Sequence, residues 1–243
     1  MSLLLLGATG DPAIERLAAF CRLRHEGVQV ETGDWGDPLP VFFRCRAHWG
    51  GKRCATSAER CWVPWTGDYL ISYRSRWIVP PAAIWATRSL ALNFHPGPPE
   101  YPGFAPACFA LYDQVDMFGV TCHHMSPGVD QGPVIRFDRF AVEPTDTVES
   151  VISRAHRVME VMAYEILEDG FAGELQDNSL YGWQRTPYTR KDLEQLAILT
   201  PDMTGAEMRR RIRAVTYGPW RARMVVNRIT FKEDGHGPDR ADS

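Results

Sequence analysis

Short apolar runs alternate along this chain with amphipathic or polar stretches, the pattern that predicts strands interleaved with helices. Leu3 to Leu6 is an unbroken apolar run that leads into Gly7-Ala8-Thr9-Gly10-Asp11-Pro12. That predicts a buried strand, a tight turn, and a helix capped near Asp11 with Pro12 in its first turn. Ile14, Leu17, Ala18 and Cys21 recur at helical spacing with Phe20 at the stripe's edge, and Arg22, Arg24 and His25 give the last turn a basic end. Val28-Gln29-Val30 reads as a second strand and Asp68 to Tyr73 as a buried third. Arg74 to Ile78 follows as a loop, and Val79-Pro80-Pro81 opens a short helix over Ala82 to Trp85. Leu90-Ala91-Leu92 begins another buried strand, Gly119 to His124 a further one, and Arg136 to Val142 alternates like an edge strand. Asp146-x-x-Glu149 has capping-box spacing. It predicts a helix running to about Leu167, with Val151, Ile152, Ala155, Val158, Met159, Met162, Ala163 and Ile166 as its apolar stripe and Gly170 and Gly173 at its end.

Past that helix the pattern changes character. Lys191 to Ile198 and Thr204 to Val215 read as short helices, and Met224 to Phe231 as a closing strand, one arm of a hairpin. Glu233 to Ser243 is polar and predicts a disordered tail. Asp34 to Gly67 shows no clear period, and its Phe42 to Trp65 part mixes Arg, Cys, Trp and Gly. It reads as an irregular segment whose tryptophans pack under a lid, with a substrate-specific loop as the alternative. The expected fold class is α/β, a Rossmann-like and mostly parallel sheet, followed by a small C-terminal helix/β-hairpin module.

Composition narrows the functional classes. The chain has 243 residues with 27 basic and 30 acidic side chains, a net charge of −3. That balance argues against nucleic acid as a partner. No run approaches the length of a membrane span, and Leu3 to Leu6 is too short for a signal segment, so the expected location is cytoplasmic. The six cysteines are then expected as reduced thiols. Cys45, His48, Cys54 and Cys61 invite a zinc reading but lack paired C-x-x-C knuckles, and no metal is expected. The Gly7 to Gly10 turn lacks G-x-G-x-x-G spacing and is read as scaffold.

The chemistry concentrates between Leu90 and Ile135. Asn93 and His95 alternate around Phe94, so an amide and an imidazole share one face of a strand that Pro96, Pro98 and Pro99 bring to an end. Ligands of open α/β sheets bind at such carboxyl ends. Downstream, Val129-Asp130-Gln131-Gly132-Pro133 reads as a tight loop whose one carboxylate is Asp130. His123 and His124 flank the same region, and one of them is expected to face the core as packing.

Asn93-x-His95-Pro96, the Gly119-Val120-Thr121-x-His123 strand and Asp130-Gln131-Gly132-Pro133-Val134-Ile135 together resemble the folate-dependent formyltransferases. His95-Pro96-Gly97-Pro98-Pro99-Glu100-Tyr101-Pro102-Gly103 is most similar to the sugar-nucleotide N-formyltransferases. The resemblance implies residues 1–175 as a formyltransferase catalytic domain, 176–232 as a substrate and dimerisation module, and 233–243 as tail. It implies transfer of a formyl group from N10-formyltetrahydrofolate to the primary amine of a nucleotide-linked amino sugar, with tetrahydrofolate as product, no membrane or nucleic-acid partner, and a homodimer. The alternatives are formylation of another small amine, such as an amino acid derivative, or a catalytically silent folate- or nucleotide-binding protein. Asn93, His95 and Asp130 would be catalytic: Asn93 and His95 as donors to the oxyanion, Asp130 to orient the imidazole, favour its charged form and accept the amine's proton. Ser75, Arg76, Trp77, Ile78, Val129 and Gly132 would line the folate side, Gly132 by letting backbone approach the pterin. Tyr101, Arg213, Tyr217 and Trp220 would meet the nucleotide sugar, the arginine at phosphate and the aromatics at the base.

Overall fold

Residues 2–43, 65–176 and 181–232 are described by the structure, a computed structural model. The first apolar run becomes β1 (Ser2–Ala8), and Asp11 caps α1 (Pro12–Arg22) by accepting the Ala13 N–H at 3.1 Å. β2 (Gly27–Gly33) and β3 (Gly67–Tyr73) lie on either side of β1, and β4 (Thr87–His95) pairs with β3, all parallel. β5 (Met117–His124) and β6 (Val134–Ala141) then add antiparallel, giving the order β2-β1-β3-β4-β5-β6 with β6 at the edge as predicted.

Alternation sorts the side chains of this sheet onto two faces. Leu3, Leu5, Ile71, Leu92, Phe94, Val120 and Cys122 belong to the larger core, with the stripes of α1 and α4 (Val148–Ala172) packed into it. Leu4, Leu6 and Leu70 take the opposite face and pack with Phe43, Trp65, Val79 and Ala83, the last from α2 (Pro81–Trp85). Asn93 and His95 therefore share the face of this smaller cluster, above its carboxyl edge.

Two helices depart from expectation. α3 (Pro106–Asp113) was not foreseen, because Pro106 to Leu111 is buried all round and shows no polar face to mark a period. The cap of α4 lies one residue later than in the predicted box. Thr147 is its N-cap and exchanges hydrogen bonds with Ser150, while Asp146 accepts from Ser150 Oγ and from Arg154. It also continues past Leu167 to Ala172, with Gly173 as its cap.

The C-terminal part forms α5 (Arg190–Leu196), β7 (Ile198–Leu199), α6 (Gly205–Val215) and a hairpin of β8 (Arg223–Val226) and β9 (Ile229–Lys232). The single strand expected over Met224 to Phe231 is instead both arms of this hairpin, turned at Asn227 and Arg228 (φ +48° and +66°), and β7 joins β8 in parallel to make a three-stranded sheet. Leu193, Leu196, Ala214 and Val215 enter the same core cluster as the main sheet. The set Cys45, His48, Cys54 and Cys61, most of the irregular segment and the tail lie outside the described residues. No helix among the described residues is long and apolar enough to cross a membrane.

Candidate active site

Strand register assembles the site. β4 and β5 run antiparallel with Asn93 directly opposite His123 and His95 opposite Thr121, so all four side chains fall on one face. The loop between β5 and β6 carries Asp130 back over them. Asp130 sits at φ +46°, a left-handed conformation uncommon for a residue with a side chain, and aspartate is among the types that tolerate it. Gly132 is obligatory in this loop: a Cβ there would lie 1.8 Å from the His124 carbonyl oxygen. Close packing against β5 is thus a reason for glycine at 132 beside the expected approach of backbone to a ligand.

The Asp130 carboxylate is the hub. Oδ2 lies 3.1 Å from His95 Nδ1 and accepts the Gly103 N–H at 2.8 Å. Oδ1 accepts from Asn93 Nδ2 at 3.2 Å and lies 3.3 Å from His123 Nε2. His95 is buried, and its Nε2 lies 2.9 Å from the Tyr101 carbonyl, which can only accept. With acceptors at both nitrogens, the ring is best satisfied as an imidazolium. Burial opposes that charge, but the Asp130 charge, its hydrogen bond and the Tyr101 carbonyl outweigh the penalty and raise the His95 pKa. Burial likewise works against an ionised Asp130, yet the His95 charge beside it holds its carboxyl far below the usual carboxylate range.

One of His123 and His124 was expected to face inward, as packing or as support behind the catalytic residues; it is His123, and it completes the cluster. Its Nδ1 meets the His124 carbonyl at 2.7 Å, so Nδ1 carries hydrogen, and Nε2 meets the Asn93 amide at 3.0 Å. The legible signal was its alternation with Val120 and Cys122, which puts it on the face of Asn93 once β4 and β5 pair. Trp183 was not foreseen at all. Its ring stands edge-on to His95 and His123, at centroid distances of 5.7 and 5.0 Å, and its Nε1 donates to the Gly132 carbonyl at 2.8 Å. A cavity of about 540 Å³ opens beside it, between Gln131–Val134 and Tyr181–Thr186.

One mechanistic expectation changes with this geometry. The donors expected of Asn93 and His95 are present, with their N–H groups engaged within the cluster. Asp130 was expected to accept a proton, but a carboxylate with so low a pKa and four close partners is a poor base. It fits the orienting and charge-holding role instead.

The remaining candidates divide. The Tyr101 ring is buried, with its hydroxyl donating to Asp113 Oδ2 at 2.9 Å, so this residue serves the site through its carbonyl rather than by touching a substrate. Arg213 donates to the Asp146 and Glu143 carbonyls at 2.9 and 3.2 Å, docking α6 onto the turn before α4. Ser75 accepts the Trp77 N–H, and Trp77 lies over Gly33 with its Nε1 bonded to the Asp37 carbonyl. Ile78 and Val129 are exposed, as is Tyr217, while Trp220 is half-buried against the core. The loop that carries Arg76 leaves β3 beside Asn93, since Ser72 pairs with it.

Known proteins resemble this chain. Residues 67–166, which contain Asn93, His95, His123 and Asp130, match the family described as formyl transferase. Over 236 residues the chain is 29% identical to a dTDP-4-amino-4,6-dideoxyglucose formyltransferase of Mycobacterium tuberculosis, covering 93% of this chain and 92% of that protein. A structure solved from Mycobacterium tuberculosis as a candidate sugar N-formyltransferase superposes with a TM-score of 0.66 at 25% identity, covering 93% of both chains. An N-formyltransferase of Helicobacter canadensis, solved with folinic acid and dTDP-3-aminofucose, shares the fold with a TM-score of 0.65 at 16% identity, over 94% of this chain and 85% of that one.

Proposed function

We propose that this chain, whose residues 67–166 match the formyl transferase family, transfers a formyl group from N10-formyltetrahydrofolate to the primary amine of a nucleotide-linked amino sugar. One observation carries the reading: an amide, two imidazoles and an ionised carboxylate meet on one sheet face, with the Trp183 ring against both imidazoles. A binding module has no use for a buried carboxylate–imidazolium pair whose desolvation opposes folding. The reduced folate supplies an activated formyl group when bound. The residues present suit it, since acyl transfer needs hydrogen-bond donors where negative charge develops.

In this reading His95 stays cationic because of Asp130. It releases the Tyr101 carbonyl and turns its Nε2–H to the formyl oxygen. The Asn93 amide, half-buried and freed from Asp130, is the second donor. His123, with Nε2 facing the Asn93 amide, is the nearest group placed to receive a proton from the attacking amine. Trp183 closes over the imidazoles and keeps water from the cluster, which strengthens each of these interactions. The long C-terminal match to the mycobacterial enzyme supports the nucleotide-sugar acceptor. The exposed Ile229 and Phe231 on β9 suit a homodimer formed through the C-terminal sheet, and the buried free thiols suit a reducing cytosol.

Formyl transfer to a dTDP-linked amino sugar, followed by release of tetrahydrofolate, tests the proposal. His95→Ala and Asn93→Ala should each lower kcat by on the order of a hundredfold or more. Wild-type rates in both variants would remove the catalytic assignment.

A further inference from the structure

His95 is held at both ring nitrogens, and the two holders have different origins. Asp130 Oδ2 lies 3.1 Å from Nδ1, while Nε2 lies 2.9 Å from the Tyr101 carbonyl in the turn that follows β4. That turn is fitted closely around the imidazole. The Tyr101 N–H donates to the Pro98 carbonyl at 2.9 Å, and the buried Thr121 hydroxyl donates to the Gly97 carbonyl at 2.7 Å. A Cβ at Gly97 would lie 2.5 Å from His95 Nε2. The Tyr101 ring is buried, tilted against Phe118 and near-parallel to Tyr188 at a centroid distance of 6.3 Å. Its hydroxyl is anchored elsewhere, donating to Asp113 Oδ2 at 2.9 Å. Asp113 is the last residue of α3 and is exposed. The helix dipole disfavours a carboxylate at this end, and no basic side chain in the last turn offsets it. Helix formation gives no reason for an acid here, whereas the Tyr101 hydroxyl does. Tyr101 is thus bound at two ends, by its hydroxyl to the surface of α3 and by its carbonyl to His95.

We propose that Asp113 is a positioning residue for the transfer reaction, pinning Tyr101 so that its carbonyl holds the His95 Nε2–H in place until the formyl oxygen succeeds it. The pin acts on geometry. With the tyrosine fixed at both ends, the imidazole swings to the substrate while the turn stays, and it returns to the same carbonyl after turnover. The pin also acts on charge. The titratable groups around the His95 ring are Asp130, from the β5–β6 loop, and His123, from β5, which meets the other carboxylate oxygen. Trp183 adds an uncharged edge. Burial disfavours the cation, and the Asp130 charge, its hydrogen bond and the Tyr101 carbonyl favour it. A loosened carbonyl withdraws one of these supports, so the imidazolium gives up its proton at lower pH. The proposal rests on the formyl-transfer reading above.

Tyr101→Phe keeps the buried ring and Asp113→Ala removes an exposed group, so both variants should fold, which circular dichroism verifies. Each should lower kcat for a dTDP-linked amino sugar by on the order of tenfold or more, with KM little changed. Each should also move the alkaline limb of kcat/KM to lower pH. Asp113→Asn still accepts from the hydroxyl through its amide oxygen and should keep the wild-type limb. The double variant Tyr101→Phe/Asp113→Ala should be no slower than either single one, because both cut the same tether. Asp116→Ala, at a nearby exposed carboxylate, is the control and should change nothing. Nitrogen NMR of the His95 ring reads the same downward pKa shift without turnover. A lowered Tm with wild-type kcat and an unmoved limb overturns the proposal, and so do additive losses in the double variant. Failure of the parent reading looks different. A wild-type protein that formylates neither a dTDP-amino sugar nor a small amine removes the reaction. The His95 titration then still decides the tether: a downward shift in both variants supports it and an unmoved one overturns it.

Discussion

Asp130 is the residue on which the site's charge balance turns. Its substitution by Asn keeps the shape and removes the charge that raises the His95 pKa. The raised His95 value means that its contribution to stability is full below about pH 6.5 and is lost as pH rises through the higher folded value. The depressed Asp130 value means that its contribution is full above about pH 3.9 and is lost only as pH falls through the lower folded value. The Tm gap between wild type and Asp130→Asn should therefore be widest from about pH 4 to just above 6.5 and should narrow in alkali. Breaking such a buried pair costs about 3–5 kcal/mol. In the same variant the alkaline limb of kcat/KM should move to lower pH, and a gap that widens with alkali would contradict a charged His95. Gly132→Ala has a steric rather than an electrostatic prediction. The added methyl meets a backbone oxygen that no rotamer change can move, so denaturant unfolding should show a loss of about 2 kcal/mol or more. At this scale the sequence was informative where alternation and proline fixed the geometry, as for Asn93 and His95. It was silent on the engagement of His95 Nε2 and on the fourth partner of Asp130, because the Tyr101 carbonyl and the Gly103 N–H are backbone atoms that no side-chain pattern reports.

Elements were legible in proportion to their periodicity. α1 and the stripe of α4 carry polar and apolar faces, and both were readable from spacing alone. α3 lies between the sheet and the C-terminal helices, so burial on all sides erased the pattern that would have announced it. α6 was readable as a helix, yet the purpose of Arg213 on it was not, since its partners are carbonyls of a remote turn. Arg213→Ala separates the two roles. Losing those bonds should lower stability by about 1–3 kcal/mol with KM for the nucleotide sugar unchanged. A raised KM with an unchanged Tm would restore the arginine to the substrate.

For the whole molecule, one core continues from the sheet into the C-terminal helices, and its thiols report on it. Cys21, Cys108 and Cys122 are buried and free, and burial raises the first two to about 11 and about 12 and the third further in the same direction. The thiolate is the reactive form. Mass-spectrometric mapping after brief iodoacetamide treatment at pH 8 should find these three unmodified in the native protein and all three alkylated in denaturant. Early labelling of Cys108 alone would mean that α3 opens independently of the sheet.

The boundary expected near residue 175 follows the pattern of the chain but not the assembly of its chemistry. Gly103 pairs with Tyr188, the Gln184 N–H reaches the Pro99 carbonyl, and Trp183 rests on both imidazoles. A nascent polypeptide emerging from the ribosome would thus hold its histidines and aspartate unroofed until this late stretch had been synthesised. Ribosome-bound fragments ending before Trp183 should be unable to consume formyl donor, and competence should appear abruptly with length rather than grow in step with the sheet.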